Sequence, residues 1–334
     1  MTTATNENYS ILSRRHAWAL TLVATLTMAV SYIDRQALAA LAPTICDEFK
    51  ISETNYGVLL SAFSLAYLFV SPVAGALVDR VGARRGLLGA VLVWSFVAAL
   101  HAIVPGFGVL FFLRIALGIA ESPSFPGAAQ TVQRTLSETE RARGFGVLFT
   151  GSSIGAMIAP PLATFLLKRW GWQTAFLGTA AVGLAWVPFW LMFAWKNPAR
   201  DLLDAVATQD KPKPSPVTVL RHPAVLRAAL GIAAVAPAMG FVLNWGAKFL
   251  DKVHHVPRTD VGPYMALPPL MFDVGSVVFG HFASVRRSKF TDGSPDRMLF
   301  VMAALLTTVL VAAPFGRTPW ESMLIAGFGM AGGG

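Results

Sequence analysis

From Ala17 to Ala42 the chain is apolar apart from one interior cluster, Ser31-Tyr32-Ile33-Asp34-Arg35-Gln36. As a helix, that stretch crosses the roughly 30 Å hydrocarbon core of a bilayer. Comparable runs recur at about 54–78, 87–104, 108–132 and 144–167, and a sixth ends near Trp195. Others follow at about 223–245, 261–284 and 298–314, and a tenth opens near Pro319. Lipid satisfies no backbone polar group, so spanning segments are helices or closed barrels, and runs of this length select helices. The whole chain agrees, with 54% hydrophobic and 13% charged residues over 334 positions and a mean hydropathy of +0.57. These values lie outside the range of soluble domains. The fold class expected is all-α integral membrane.

A net charge of +9 in a soluble protein would point to nucleic acid. Here the cations sit in short clusters between apolar runs, as the positive-inside rule describes, and no nucleic-acid partner is expected. Arg14 and Arg15, the loop around Arg80, the loop Arg134 to Arg143, the stretch Lys196 to His222 and Arg286-Arg287-Lys289 all fall on one side when the N-terminus is cytoplasmic. This orientation places a multi-pass chain in the cell inner (cytoplasmic) membrane, with the lipid bilayer as its surroundings. The sequence Lys168-Arg169-Trp170-Gly171-Trp172 reads as an interfacial belt. The one cysteine, Cys46, gives neither a disulfide framework nor a metal site. No cofactor, metal or catalytic grouping is expected, and the chain does not read as an enzyme.

Four domains follow from the pattern. Residues 1–16 form a cytoplasmic tail, 17–195 a six-helix bundle, 196–222 a solvated linker stiffened by prolines such as Pro212 and Pro214, and 223–334 part of a second bundle, from a seventh span into a tenth. A plan of six spans and then fewer suggests a chain incomplete at its C-terminus, with two further spans in a longer relative.

Ionisable residues inside spans are costly, about 2.5–3.5 kcal/mol each on insertion scales, and so mark function. The first run holds Asp34 and Arg35; the fourth holds Arg114 and Glu121, seven residues and about 10 Å apart on nearly one face. Asp34 lies about 13 Å from the outer end of the first run and Arg114 about 9 Å from the outer start of the fourth, which suggests that the two pair in one conformational state. Arg35 is then expected to face a cavity alone, where a guanidinium holds a carboxylate bidentately. Glu121, roughly 10 Å deeper, is expected to titrate. Together these suggest proton-coupled movement of an organic anion, with a structural ion pair as the alternative for Asp34 and Arg114. Tyr67 is either a ligand contact or a helix contact. Ser152, in Gly151-Ser-Ser-Ile-Gly155, fits helix packing, and Asn244 could extend the cavity. Asp273 is a further intramembrane acid with a structural reading at least as good.

The loop Gly75-x-x-x-Asp79-Arg80-x-Gly82-x-Arg84-Arg85 resembles the signature loop of the major facilitator superfamily, with a degenerate echo at Gly280, Ser284, Arg286 and Arg287. Within that superfamily, three stretches are similar to the anion:cation symporters of hexuronate and galactonate type: Tyr32-x-Asp34-Arg35, Arg114-x-x-x-Gly118-x-x-Glu121 with Phe125-Pro126, and Gly151 to Pro161. The resemblance implies two pseudo-symmetric six-helix bundles that rock around a midplane site. It implies that Arg35 binds the substrate carboxylate, with Tyr32, Tyr67, Ser152 and Asn244 lining the site. Asp34 and Glu121 become protonation sites, Arg114 a switching partner, and the loop from Gly75 to Arg85 a conformational element. The chain departs from the pattern at Ala37, Ser137 and Ser152, where relatives commonly carry Asn, Pro and, in the galactonate type, Gln. The function expected is proton-coupled import of a sugar acid by a monomer. Rival readings are a proton-driven drug exporter of the same fold and a transporter-like sensor that binds without transport.

Overall fold

The computed structural model describes residues 12–205, 218, 221–287 and 297–333, and all the regular structure among them is helical. The first helices are α1 (Arg14–Glu48), α2 (Glu53–Val81), α3 (Ala83–Leu100, extended by a 3-10 turn to Ile103), α4 (Phe107–Glu121) and α5 (Ser124–Thr135). They are followed by α6 (Glu138–Trp170), α7 (Trp172–Ala194), α8 (Ala199–Asp204), α9 (Pro223–His254), α10 (Gly262–Met265), α11 (Leu267–Arg287), α12 (Arg297–Thr308, with a 3-10 turn from Val309 to Phe315) and α13 (Pro319–Ala331). Among the described residues, seven segments are long and apolar enough to cross a membrane. Local chemistry sets their ends. Ser13 and Ser52 cap α1 and α2 by accepting the His16 and Asn55 N–H groups at 3.3 and 3.2 Å.

The chain divides into two compact units, Met1–Ala207 with Arg258–Gly262, and Thr208–Pro257 with Pro263–Gly334. In unit 1, α1 is the central element and is buried along most of its length. Helix α6 comes close to it because Gly151 and Gly155 have no side chains; a Cβ at Gly155 would lie 2.3 Å from the Ala29 carbonyl oxygen. Helix α7 is fixed to α1 by the Trp186 indole N–H, which donates to the Val23 carbonyl at 2.8 Å. At the N-terminal end, the Arg14 guanidinium and the Trp18 indole both donate to Glu140 on α6, at 2.6 and 3.1 Å. At the opposite end, residues 258–262 pack as part of this unit: Arg258 pairs with Asp47, and Lys168 with Asp260 at 2.9 Å. The Lys168 ammonium holds the Asp260 carboxyl below the usual carboxylate range. In unit 2, α11 and α13 pack closely, and Val242, Ala313, Ala326 and Met330 form a small apolar core. His254 and Ser322 hydrogen-bond there at 2.8 Å.

Two expectations are sharpened. The fourth run is one membrane-length span, Phe107–Thr135, but it holds a break, since α4 stops at Glu121 and α5 starts at Ser124. Pro123 offers no N–H to the ladder, and the Ser122 N–H turns back to the Ile119 carbonyl at 3.3 Å. The break falls beside Glu121. The stretch 196–222 is not solvated throughout, because α8 buries Ala199 and Leu203 completely. The proline-rich part, Lys211 to Pro216, lies outside the described residues, as do the side chains of the echo at Gly280, Ser284, Arg286 and Arg287.

Candidate functional site

Ser31 and Arg35 are four residues apart on α1 and therefore point the same way, towards the end of α4. There they meet Glu121. The Arg35 guanidinium donates to Glu121 Oε2 at 3.0 Å, and the Ser31 hydroxyl donates to the same oxygen at 2.8 Å. The Glu121 side chain is fully buried, while that of Arg35 keeps 19% of its surface open. Three rings surround the guanidinium, with Tyr32, Phe63 and Tyr67 centroids at 4.6, 4.8 and 4.9 Å from Arg35 Cζ. Phe63 and Tyr67, four apart on α2, stack on each other at 6.1 Å. The cage holds a delocalised, weakly hydrated cation where lipid and protein supply little water.

Phe63 also lies 4.7 Å from Cζ of Arg114, so one ring serves both guanidiniums. Arg114 is 2% exposed, and its Nε and Nη1 have no hydrogen-bond partner. Asp34, one residue before Arg35, points about 100° away around α1. It faces the Trp94 indole on α3 and the Thr179 hydroxyl on α7, and these two groups, not Arg114, are its polar neighbours. In this conformation Asp34 and Arg114 do not pair, and Arg35 is held by Glu121. Depth along a helix reflects backbone rise only. An arginine side chain reaches several ångströms along the helix axis, and the break at Pro123 brings Glu121 to the edge of α4.

The remaining candidates are less central. The Ser152 hydroxyl donates to the Phe149 carbonyl at 2.7 Å, within its own helix. Asn244 belongs to unit 2, on α9, and its amide donates to the Gly240 carbonyl at 2.8 Å. Ser31, Phe63, Trp94, Thr179 and the break at Pro123 were not anticipated. For Ser31 and Phe63 the signal was present, since each lies one helical turn from a candidate already identified. For Trp94 and Thr179 there was none.

The signature loop forms a second constellation. Gly82 separates α2 from α3 at φ +84°, and a Cβ there would lie 2.6 Å from the Leu203 carbonyl oxygen, so α8 can dock only against glycine. Arg84 is 2% exposed; its Nε donates to both Asp204 oxygens, at 2.9 and 3.0 Å, Nη2 donates to Asp204 as well, and the Trp195 ring lies 4.1 Å from Cζ. Arg85 lies 3.8 Å from Asp204, Asp79 accepts from Gln130 at 2.9 Å, and Arg134 donates to the Leu203 carbonyl at 2.9 Å. Arg80 and Gly75 complete the loop on α2. Removing Asp204 leaves a buried cation without its anion, so Asp204→Ala is expected to destabilise the protein by about 3 kcal/mol, the low end for a buried pair because Asp204 is 21% exposed. Denaturation of the solubilised protein measures it, and an unchanged midpoint would show that α8 contributes nothing to holding the loop.

The chain is 30% identical to the hexuronate transporter of Escherichia coli (strain K12) over 278 residues, which cover 79% of this chain and 64% of that protein. It is 28% identical to the galacturonate transporter of Dickeya chrysanthemi over 287 residues, 82% of this chain and 83% of that one. The chain thus spans just under two thirds of the length of the Escherichia coli relative. Among solved structures, a bacterial homologue of the human lysosomal transporter Spinster shares the fold with a TM-score of 0.72 at 19% identity, covering 96% of this chain and 75% of the other. The sequence model of the Major Facilitator Superfamily matches residues 24–334. With membrane-length helices, the signature loop between α2 and α3 and a match across nearly its whole length, the chain belongs to the major facilitator superfamily.

Proposed function

We propose that this protein is a secondary active transporter that imports an organic anion together with protons, and that the anion is a sugar acid of the hexuronate or aldonate class. The observation that carries this reading is the ion pair between Arg35 and Glu121 inside the cage of Tyr32, Phe63 and Tyr67. A substrate carboxylate and the Glu121 carboxylate compete for one guanidinium. When a proton adds to Glu121, its claim on Arg35 weakens, and the guanidinium becomes available to the substrate carboxylate. The aromatic rings offer faces to the C–H surface of a sugar, and the Ser31 hydroxyl stays bonded to the acid in either form. Binding of the anion and binding of the proton therefore help each other, as symport requires. Asp34 is a second proton site, and Arg114 its switching partner in another conformation. Relatives named for hexuronate and galacturonate transport support the substrate class. Two intramembrane guanidiniums, Arg35 partly open and Arg114 buried, fit an anion better than the lipophilic cations typical of drug export.

In this reading the chain lies in the cell inner membrane with its N-terminus in the cytoplasm and works as a monomer, needing no cofactor. Ser152 and Asn244 contribute to the substrate path, and the loop from Gly75 to Arg85, clasped by Asp204, is the conformational element. The test is a panel of glucuronate, galacturonate, galactonate, glucarate and tartrate, scored first by thermal shift and then by uptake into proteoliposomes under an inward proton gradient. At least one sugar acid is expected to stabilise the protein and to accumulate. Stabilisation without exchange would indicate a sensor, and no response to any of the acids would overturn the substrate class.

A further inference from the structure

Behind the Arg35–Glu121 pair lie four buried polar side chains, Asp34 beside the Trp94 indole, then Ser95 and His101, whose Nε2 has no hydrogen-bond partner. All are at most 3% exposed. Trp94 and His101 are seven residues apart, so they share one face of α3 and its 3-10 extension, about 10 Å apart along the axis. Between them on that face is Ala98, buried and small. At the inner end, the Trp94 indole and Thr179 face Asp34. At the far end, the His101 ring lies against Phe176 at 5.4 Å, about one turn along α7 from Thr179. His101 opens the 3-10 turn that ends α3, within one turn of the Pro105-Gly106 link to α4, so the ring sits near the end of the span.

The hydrogen bond at His101 fixes its tautomer. Nδ1 lies 2.9 Å from the Val97 carbonyl, which can only accept, so Nδ1 carries the hydrogen. Nε2 is then a buried acceptor with no partner. It is the one ring nitrogen free to take up a proton and to give it away. Because α1 and α3 run in the same sense across the unit, His101 lies at the end opposite Arg14, the outer side in the orientation proposed above.

We propose that His101 is the entry point through which protons from the outer side reach Asp34, along the α3 face lined by Ala98 and Trp94. This rests on the reading of Asp34 as a proton site. A proton from outer water adds to the Nε2 lone pair, giving an imidazolium with hydrogens on both nitrogens. The same nitrogen releases it to a water on the Ala98 face, that water passes a proton to an Asp34 oxygen, and the ring returns to its Nδ1–H form. The ionisable groups around this route are Arg114 beside His101, Glu121 beside Asp34, and Tyr56 and Arg35 beyond Arg114.

The test follows the carboxylic C=O stretch of Asp34 by infrared spectroscopy after a rapid drop in pH, with Asp34→Asn identifying the band. His101→Asn keeps an amide N–H for Val97 and His101→Gln places an amide near the Nε2 position, yet neither relays a proton. Both are expected to slow protonation of Asp34 at least about 100-fold, the low end for a lost proton-transfer group, while the final band intensity and the melting temperature stay as in the parent. Unchanged rates in both variants would overturn the inference. Failure of the Asp34 reading looks different: no band would then disappear in Asp34→Asn.

Discussion

Arg35→Ala is expected to abolish uptake, lowering it by at least about 100-fold, the equivalent of losing a charge-assisted bidentate contact worth about 3 kcal/mol. The same change strands the Glu121 carboxylate, which is fully buried and would keep only the Ser31 hydroxyl. Leaving one member of a buried pair alone costs about 3–5 kcal/mol in stability, less whatever the acid recovers by taking a proton. The destabilisation should therefore shrink as the pH is lowered, because protonation removes the stranded charge. Arg35→Lys is not expected to restore function. An ammonium is a compact, strongly hydrated charge that neither spreads under three rings nor presents a planar fork to a carboxylate. Radiolabelled uptake in proteoliposomes, with melting curves at two pH values, measures both effects.

Glu121→Gln should separate binding from coupling. The glutamine amide retains an oxygen for Ser31 but can neither bind a proton nor neutralise Arg35. Counterflow exchange of the substrate is expected to persist, since the guanidinium is then permanently available. Accumulation driven by a proton gradient should fall at least about tenfold. Substrate affinity in the parent should tighten as the pH falls, because protonation of Glu121 releases Arg35, whereas in Glu121→Gln it should be flat. A variant that still accumulates substrate against its gradient would remove Glu121 from the coupling role.

The fold was almost wholly legible because the membrane reduces folding to one readable quantity, the length of an apolar run. What escaped was local. The break at Pro123 was present in the sequence as a Pro flanked by small polar residues, but a run of apolar character hides it, since prolines are tolerated in membrane helices. Helix α8 escaped because Asn197-Pro198 and scattered Asp residues read as linker, whereas Asp204 in that stretch is the anion for Arg84. At the site, the four charged residues could be found from their cost in lipid, but not the way they pair. Asp34 and Arg114 match in helix depth, yet pairing depends on which direction each side chain takes around its helix. Ser31 four residues before Arg35 carried that direction, and depth alone did not. Trp94, Thr179 and His101 come from helices distant in sequence, and no spacing links them to Asp34.

Protons and substrate meeting at one guanidinium is the central claim, and it has a direct measure. Calorimetric titration of the protein with the sugar acid selected by the panel, repeated in buffers of different ionisation enthalpy, counts the protons exchanged on binding. Above the pH at which Glu121 is already protonated, binding should take up close to one proton per substrate, and Glu121→Gln should reduce that uptake. Binding with no net proton exchange, or with proton release, would contradict the competition between Glu121 and substrate for Arg35.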